Sequence, residues 1–389
     1  MTDHKTTYLS QQLLPEAVRR VPALLKLLRA MVEIESPSDN KAAVDRCVDF
    51  VAKHSLAMGG RVRRHARKEC GDLLELRFGP QRSRRKPVLL LGHLDTVWPL
   101  ETLKGMPWRV EGGRVWGPGV LDMKAGVAMA LTAIAMLKDS AKLTRPVTIL
   151  LVSDEEVGSN ASRSLTEKLA LESEAVYVLE PAQGLAGAYK TARKGVGNYR
   201  IRVEGVAAHS GVDFENGHSA IVELARQIGQ ITQFTDLKRG ITVNVGTVQG
   251  GTRSNVVAAE AYAEVDVRIA KTKDRLRVDK QFRSLRVFDN RCTLYVEGGL
   301  NRPPMERTRG TVALYKRAEA HARQMGFALS EAATGGGSDG NFTSALGVPT
   351  LDGMGAVGEG AHAAHESLLL EHMAPRTALL AAMLAEARE

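Results

Sequence analysis

PVLLLGHLD, residues 87–95, is a short aliphatic run that stops at a histidine and an aspartate. A strand buried on both faces has this form when its carboxyl end emerges at the edge of a sheet. Two other stretches repeat it, VTILLVSD at 147–154 and AVYVLEP at 175–181. Residues 15–33 and 41–57 space Leu, Val and Ala helically, and Asp122 to Leu137 and 310–324 also read as helices. Strands alternating with helices predict an α/β fold, a sheet covered on both faces with its site at the strand ends.

The pattern changes from about Gly195 to Gly299. NYRIRVEG and AYAEVDVRIA alternate with period two, as in a sheet with one solvated face. With ITVNVGTVQGG and RCTLYVEGG as strands, and SAIVELARQIGQIT and KDRLRVDKQFRSLRV as helices, the segment spells βαββαβ, a complete α+β module. The α/β pattern resumes after Pro303 and Pro304, so the module is expected as an insertion at 194–304 in a discontinuous domain of 1–193 and 305–389.

A chain of 389 residues with 44% hydrophobic and 25% charged residues is expected to build two globular domains, or one domain with a large insertion. MTDHKTTYLSQQLL lacks the basic start and apolar run of a signal peptide, and no stretch approaches a membrane span, so a cytoplasmic protein without a membrane partner is expected. Cys47, Cys70 and Cys292 are scattered and odd in number, which argues against a disulfide framework and against cysteine-bound zinc. The net charge of +9 and the clusters RVRRHARK at 61–68 and QRSRRK at 81–86 invite a nucleic-acid reading. Neither cluster interleaves aromatic residues; both flank the strand-like GDLLELRFG and read as solvated surface, with no nucleic-acid partner.

Successive element ends carry His93 and Asp95, then Asp122, then Glu155 and Glu156, then Glu180. Singly, each has an ordinary explanation: a capped turn, an N-cap for Asp122, a helix start for the paired glutamates. Together they would repel one another at one sheet edge unless cations lay between them. GEGAHAAHES near the chain end adds histidine. His93, Asp122, Glu156, Glu180 and His362 supply two zinc ions with one imidazole and two carboxylates each, provided Asp122 bridges. Such cysteine-free ligation also admits cobalt or manganese.

The chain resembles the aminoacylase and glutamate-carboxypeptidase family of cocatalytic zinc hydrolases. The likeness runs from about Leu24 to the end, through GHLDTVWP, GPGVLDMKAG, SDEEVGS, LEP, AAHSG, GGTRSNVV, VDVR, TGGGSDGNF and GAHAAHE. It implies two Zn²⁺ per subunit, one on His93, Asp122 and Glu180, the other on Asp122, Glu156 and His362. It further implies that Glu155 is the general base, that Asp95 orients His93 from behind, and that the inserted module is a lid and homodimerisation domain. The spacing from His362 to Glu366 favours His362 over His365 as the ligand. Ala258 stands where this family commonly has proline.

Chemistry agrees with these roles. Two zinc ions acidify a shared water and polarise the scissile carbonyl. Glu155, beside a ligand, suits proton transfer, and Asp95 can fix the tautomer of His93. His209 is placed to stabilise the oxyanion, in the resembling family from the neighbouring subunit; its ordinary alternative is a solvated loop histidine. Arg268 and Asn255, with the N–H groups of Gly336, Gly337 and Ser338, can hold a carboxylate; exposed arginine and a tight turn are the alternatives. The expected activity is a metal-dependent carboxypeptidase or amidohydrolase acting on an N-acyl amino acid or small peptide, most like release of C-terminal glutamate. Deacylases of acetylornithine or succinyl-diaminopimelate type, dipeptidases and a noncatalytic binding protein of the same fold are the alternatives.

Overall fold

The computed structural model describes residues 9–385. The part of the amino-terminal reading that falls on residues 1–8 lies outside them. Helices α1 (Leu9–Val32) and α2 (Lys41–Ala57) lead into strands β1 (Arg61–His65), β2 (Leu73–Phe78) and β3 (Val88–His93). The short strands β4 (Arg109–Glu111) and β5 (Arg114–Trp116) precede α3 (Ala125–Asp139), followed by β6 (Val147–Val152), α4 (Arg163–Leu171), β7 (Ala175–Val178) and β8 (Tyr189–Arg193). Next come β9 (Gly195–Glu204), α5 (Ala220–Ile231), β10 (Thr242–Gly250), β11 (Glu260–Ile269), α6 (Arg275–Arg283) and β12 (Thr293–Arg302). The chain then adds α7 (Arg309–Gln324), β13 (Glu331–Thr334), α8 (Gly340–Ala345), β14 (Thr350–Leu351), β15 (Gly358–Glu359), β16 (Ser367–Leu369) and α9 (Met373–Ala385).

These elements form two compact units. One comprises the described residues up to Ala192, Arg307–Thr334, and the described residues from Ser338 onward; the other comprises Arg193–Glu306 with Gly335–Gly337. The first holds a six-stranded sheet in the order β1-β2-β6-β3-β7-β14. The strands from β6 to β14 run parallel, while β1 and β2 pair antiparallel at one side. Successive side chains of a strand point to opposite faces, and the core divides accordingly. Leu90, Ile149, Leu151 and Tyr177 pack with α1, α3, α7 and α9, whereas Leu89, Leu91, Leu150, Val152 and Val176 pack with α4. The result is an α/β/α arrangement, with His93 at the carboxyl end of β3.

In the second unit an antiparallel sheet in the order β10-β11-β9-β12 carries α5 and α6 on one face. Tyr199, Ile201 and Val203 of β9 are buried against Leu224, Val278 and Phe282, while Arg200 and Arg202 between them face outward. The unit is thus a βαββαβ module, with β10 and β12 at its edges.

Three local expectations need correction. Residues 61–65 do not merely flank a strand; they form β1, paired with β2 from Arg61 opposite Arg77 to His65 opposite Leu73. Charge on an edge strand discourages sheet-to-sheet association, and Arg64 is paired with Asp45, Asp49 and Asp72. The helix expected from Asp122 begins at Ala125, because Asp122 and Met123 have non-helical backbone angles across a cis peptide bond. Finally, Val120–Asp139 is long and apolar enough to cross a membrane by length and composition, with mean hydropathy 1.7. It is 89% buried, and its apolar surface belongs to the core beside α1 and α9.

Candidate active site

The carboxyl ends of the parallel strands deliver the first side chains. His93 closes β3, Glu180 follows β7, and Glu155 and Glu156 occupy the turn after β6. Asp122 comes from the irregular turn before α3, and His362 from the turn between β15 and β16. The small sheet in the order β15-β16-β5-β4 explains how the last two meet, because Ser367 opposite Trp116 sets the turn at 360–366 beside the segment leading to Asp122.

Two groups of ligand-type atoms result, each with its members within 4.8 Å of one another: His93, Asp122 and Glu180, and Asp122, Glu156 and His362. Asp122 belongs to both. Its Oδ1 lies 3.2 Å from His93 Nε2 and its Oδ2 3.4 Å from His362 Nε2. Glu180 Oε1 is 3.7 Å from His93 Nε2, and Glu156 Oε2 is 3.1 Å from His362 Nε2. Glu156 Oε1 is buried with no hydrogen-bond partner among the described residues. Three carboxylates, two imidazoles and an orphaned carboxylate oxygen fit two hard or borderline dications.

The electrostatics point the same way. Burial alone would push the His93 imidazole down, yet its hydrogen bond to Asp122 and the charges of Asp95 and Asp122 hold it well above its ordinary value. Hydrogen bonds to Asp122 and Glu156 raise His362 to about 10. Asp122 is buried, which opposes ionisation, but the two imidazoles hold its carboxyl far below the usual carboxylate range. The carboxylates around both histidines thus favour positive charge at this point, a charge that a bound dication would supply.

Asp95 does more than face His93. The Nδ1 of His93 meets the backbone carbonyl of Asp95 at 2.9 Å, while the Asp95 carboxylate is 3.6 Å away. That carboxylate accepts the Ser38 hydroxyl at 2.7 Å and the N–H groups of Glu155 at 3.3 Å and Glu156 at 3.2 Å. Asp95 thus fixes the turn carrying the expected base and an expected ligand, and its burial raises its carboxyl to about 6. The residues around Asp95 and Glu366 are what sequence reasoning missed. Glu366 was visible only as a spacing from His362, but its carboxylate accepts four hydrogen bonds around Asp122.

The second unit holds His209, Asn255, Arg268, Gly336 and Gly337. Backbone pairing sets His209 opposite Val256, with Ser210 N–H donating to the Asn255 carbonyl, so His209 and Asn255 occupy adjoining segments. Arg268, on β11, grips the Asp266 carboxylate with Nε and Nη2, and its Nη1 reaches the Gly335 carbonyl at 3.5 Å. The carbonyls of Gly336 and Gly337 accept from Arg193, while their N–H groups make no hydrogen bond among the described residues. Ser338 belongs to the first unit and is fully buried. Its N–H donates to Asn341 Oδ1 and its hydroxyl to Asp352, so its part in the expected N–H pocket is already occupied within the loop.

Known proteins resemble the chain over most of its length. Residues 89–386 match the model of peptidase family M20/M25/M40. Carboxypeptidase G2 of Pseudomonas sp. (strain RS-16) is 27% identical over 372 residues, covering 93% of this chain and 88% of that protein. Among solved structures, the aminopeptidase PepT of Bacillus cereus superposes with a TM-score of 0.78 at 21% identity, covering 94% of this chain and 98% of that one. An M20 family metallo-carboxypeptidase of Sulfolobus solfataricus gives 0.74 at 16% identity, covering 93% and 98%.

Proposed function

Since the chain belongs to peptidase family M20/M25/M40, we propose that it is a dinuclear zinc hydrolase that cleaves an amide bond next to a free carboxylate. Its substrate is an N-acyl amino acid or small peptide, and the reaction is most like that of a glutamate carboxypeptidase. The observation that carries this reading is the pair of ligand-type clusters sharing Asp122, with a buried, unpartnered oxygen on Glu156. His93, Asp122 and Glu180 would hold one ion and Asp122, Glu156 and His362 the other; cobalt or manganese could substitute. Bound there, the ions supply Lewis acidity and lower the pKa of a water.

The remaining chemistry belongs to the chain. Glu155 takes the proton of the attacking water on its carboxylate and hands it to the leaving nitrogen. Asp95, through the N–H groups of Glu155 and Glu156, holds that carboxylate in place. His209 donates to the oxyanion from the other subunit of a homodimer, formed through the exposed edge of β10 in the inserted module. Arg268, Asn255 and the open N–H groups of Gly336 and Gly337 bind the substrate carboxylate, with Arg268 turning from Asp266 toward it. The likeness to carboxypeptidase G2 over most of both chains supports the carboxypeptidase branch over a deacylase or dipeptidase. The test is a hydrolysis screen of acylated glutamates, other N-acyl amino acids and dipeptides with zinc, cobalt or manganese. Turnover of acylated glutamate above the rest is expected; cleavage of dipeptides alone would move the reading to the dipeptidases.

A further inference from the structure

Glu366 is 1% exposed and holds four donors at once. Its Oε2 accepts the Trp98 indole N–H at 2.7 Å and the Gly119 N–H at 2.9 Å. Its Oε1 accepts the N–H groups of Leu121 at 2.9 Å and Asp122 at 3.1 Å. Successive backbone N–H groups turned to one point make an anion-binding concavity, and here the anion is a side chain from the far end of the sequence. The concavity depends on Gly119, whose φ is +68° and whose added Cβ would lie 2.6 Å from Thr96 Cγ2.

The same carboxylate lies four residues after His362, in the turn that supplies this histidine. Ala363 N–H donates to the Gly360 carbonyl and Glu366 N–H to that of Ala363, which makes the turn short and closed. One side chain therefore ties the loop bearing His362 to the loop bearing Asp122. His93 and Glu180 need no such tie, because they stand at or just beyond core strands whose register is fixed by neighbours on both sides.

Building on the dinuclear reading above, we infer that Glu366 is a positioning residue that completes the second metal site by locking the His362 turn onto the Asp122 loop. Removing its carboxylate charge loosens the cluster of Asp122, Glu156 and His362 more than the cluster of His93, Asp122 and Glu180. Glu366→Gln keeps the shape but leaves one acceptor oxygen where there were two and turns an amide NH₂ against backbone donors. Trp98→Phe removes a single donor and leaves the carboxylate in place.

The experiment strips the full-length protein of metal, checks its fold by circular dichroism and thermal unfolding, and titrates it with zinc alone against a competing chelator; a parallel cobalt titration records the visible spectrum of each ion. Wild type is expected to bind two ions per chain. In Glu366→Gln the first ion binds as in wild type, and the second binds roughly ten- to a hundredfold more weakly with an altered cobalt spectrum. Trp98→Phe should shift the second step in the same direction by a smaller factor. Wild-type affinity for both ions in a folded Glu366→Gln chain would overturn the inference. So would a Glu366→Gln chain that is unfolded without metal, which would assign the residue to folding instead. A wild-type chain that takes up fewer than two ions would overturn the dinuclear reading itself, an outcome visible before any variant is compared.

Discussion

The two ligand clusters differ in how they are built. His93 is 1% exposed at the end of a core strand, and Glu180 follows another, so the first cluster inherits the rigidity of the parallel sheet. The His362 side chain is 50% exposed on a turn, with a left-handed φ of 63°, and Glu156 also sits in a turn. Sheet register places the first set; hydrogen bonds made by Asp95 and Glu366 place the second. Cores set positions through packing, whereas loops depend on particular polar contacts. The second cluster should therefore be the easier one to disturb.

Asp122 is the point at which the comparison can be broken outright. Asp122→Ala removes the ligand common to both clusters and should abolish binding of both ions and all measurable hydrolysis. A variant that still bound two ions would show the clusters to be independent. Glu155→Gln touches neither cluster directly, so turnover should fall roughly hundredfold to ten-thousandfold, as for loss of a general base, while metal content stays at the wild-type level. If Glu155→Gln strips an ion and Glu156→Gln does not, base and ligand are interchanged.

Arg268→Ala probes the inserted module against both clusters. It should weaken kcat/KM on an acylated amino acid by about 2 kcal/mol, the lower end of the range for a lost charge partner, since the side chain is partly exposed and already paired with Asp266. Wild type should prefer the acid to its amide, and the variant should lose that preference. Equal kcat/KM for acid and amide in wild type would refute carboxylate recognition while leaving the metal chemistry standing. The smallest effect is expected from His365→Ala, which should leave metal content unchanged because His365 joins neither cluster.

The same contrast explains what could be read from the sequence. Aliphatic runs ending in His93, Glu155 and Glu180 marked the strand ends, because burial on both faces leaves a compositional trace. Period two likewise marked the inserted module. Asp122 was legible as an acidic residue beside a glycine-rich segment, but its backbone conformation was not, since an N-cap and an irregular turn have similar composition. The work of Asp95 and Glu366 was hidden for a related reason. Each carboxylate accepts backbone N–H groups, and every residue except proline offers one, so the partners leave no signature in residue type. From sequence alone β1 reads as solvated surface, because an edge strand rich in arginine has the composition of a surface loop.

The most direct test of the account is the zinc stoichiometry of His362→Ala beside that of wild type, both stripped of metal and folded. Two ions are expected for wild type and one for the variant, bound with the affinity of the wild-type first ion, because His93, Asp122 and Glu180 remain in place. Fewer than two ions in wild type under saturating zinc, or two undiminished ions in His362→Ala, would contradict the dinuclear reading.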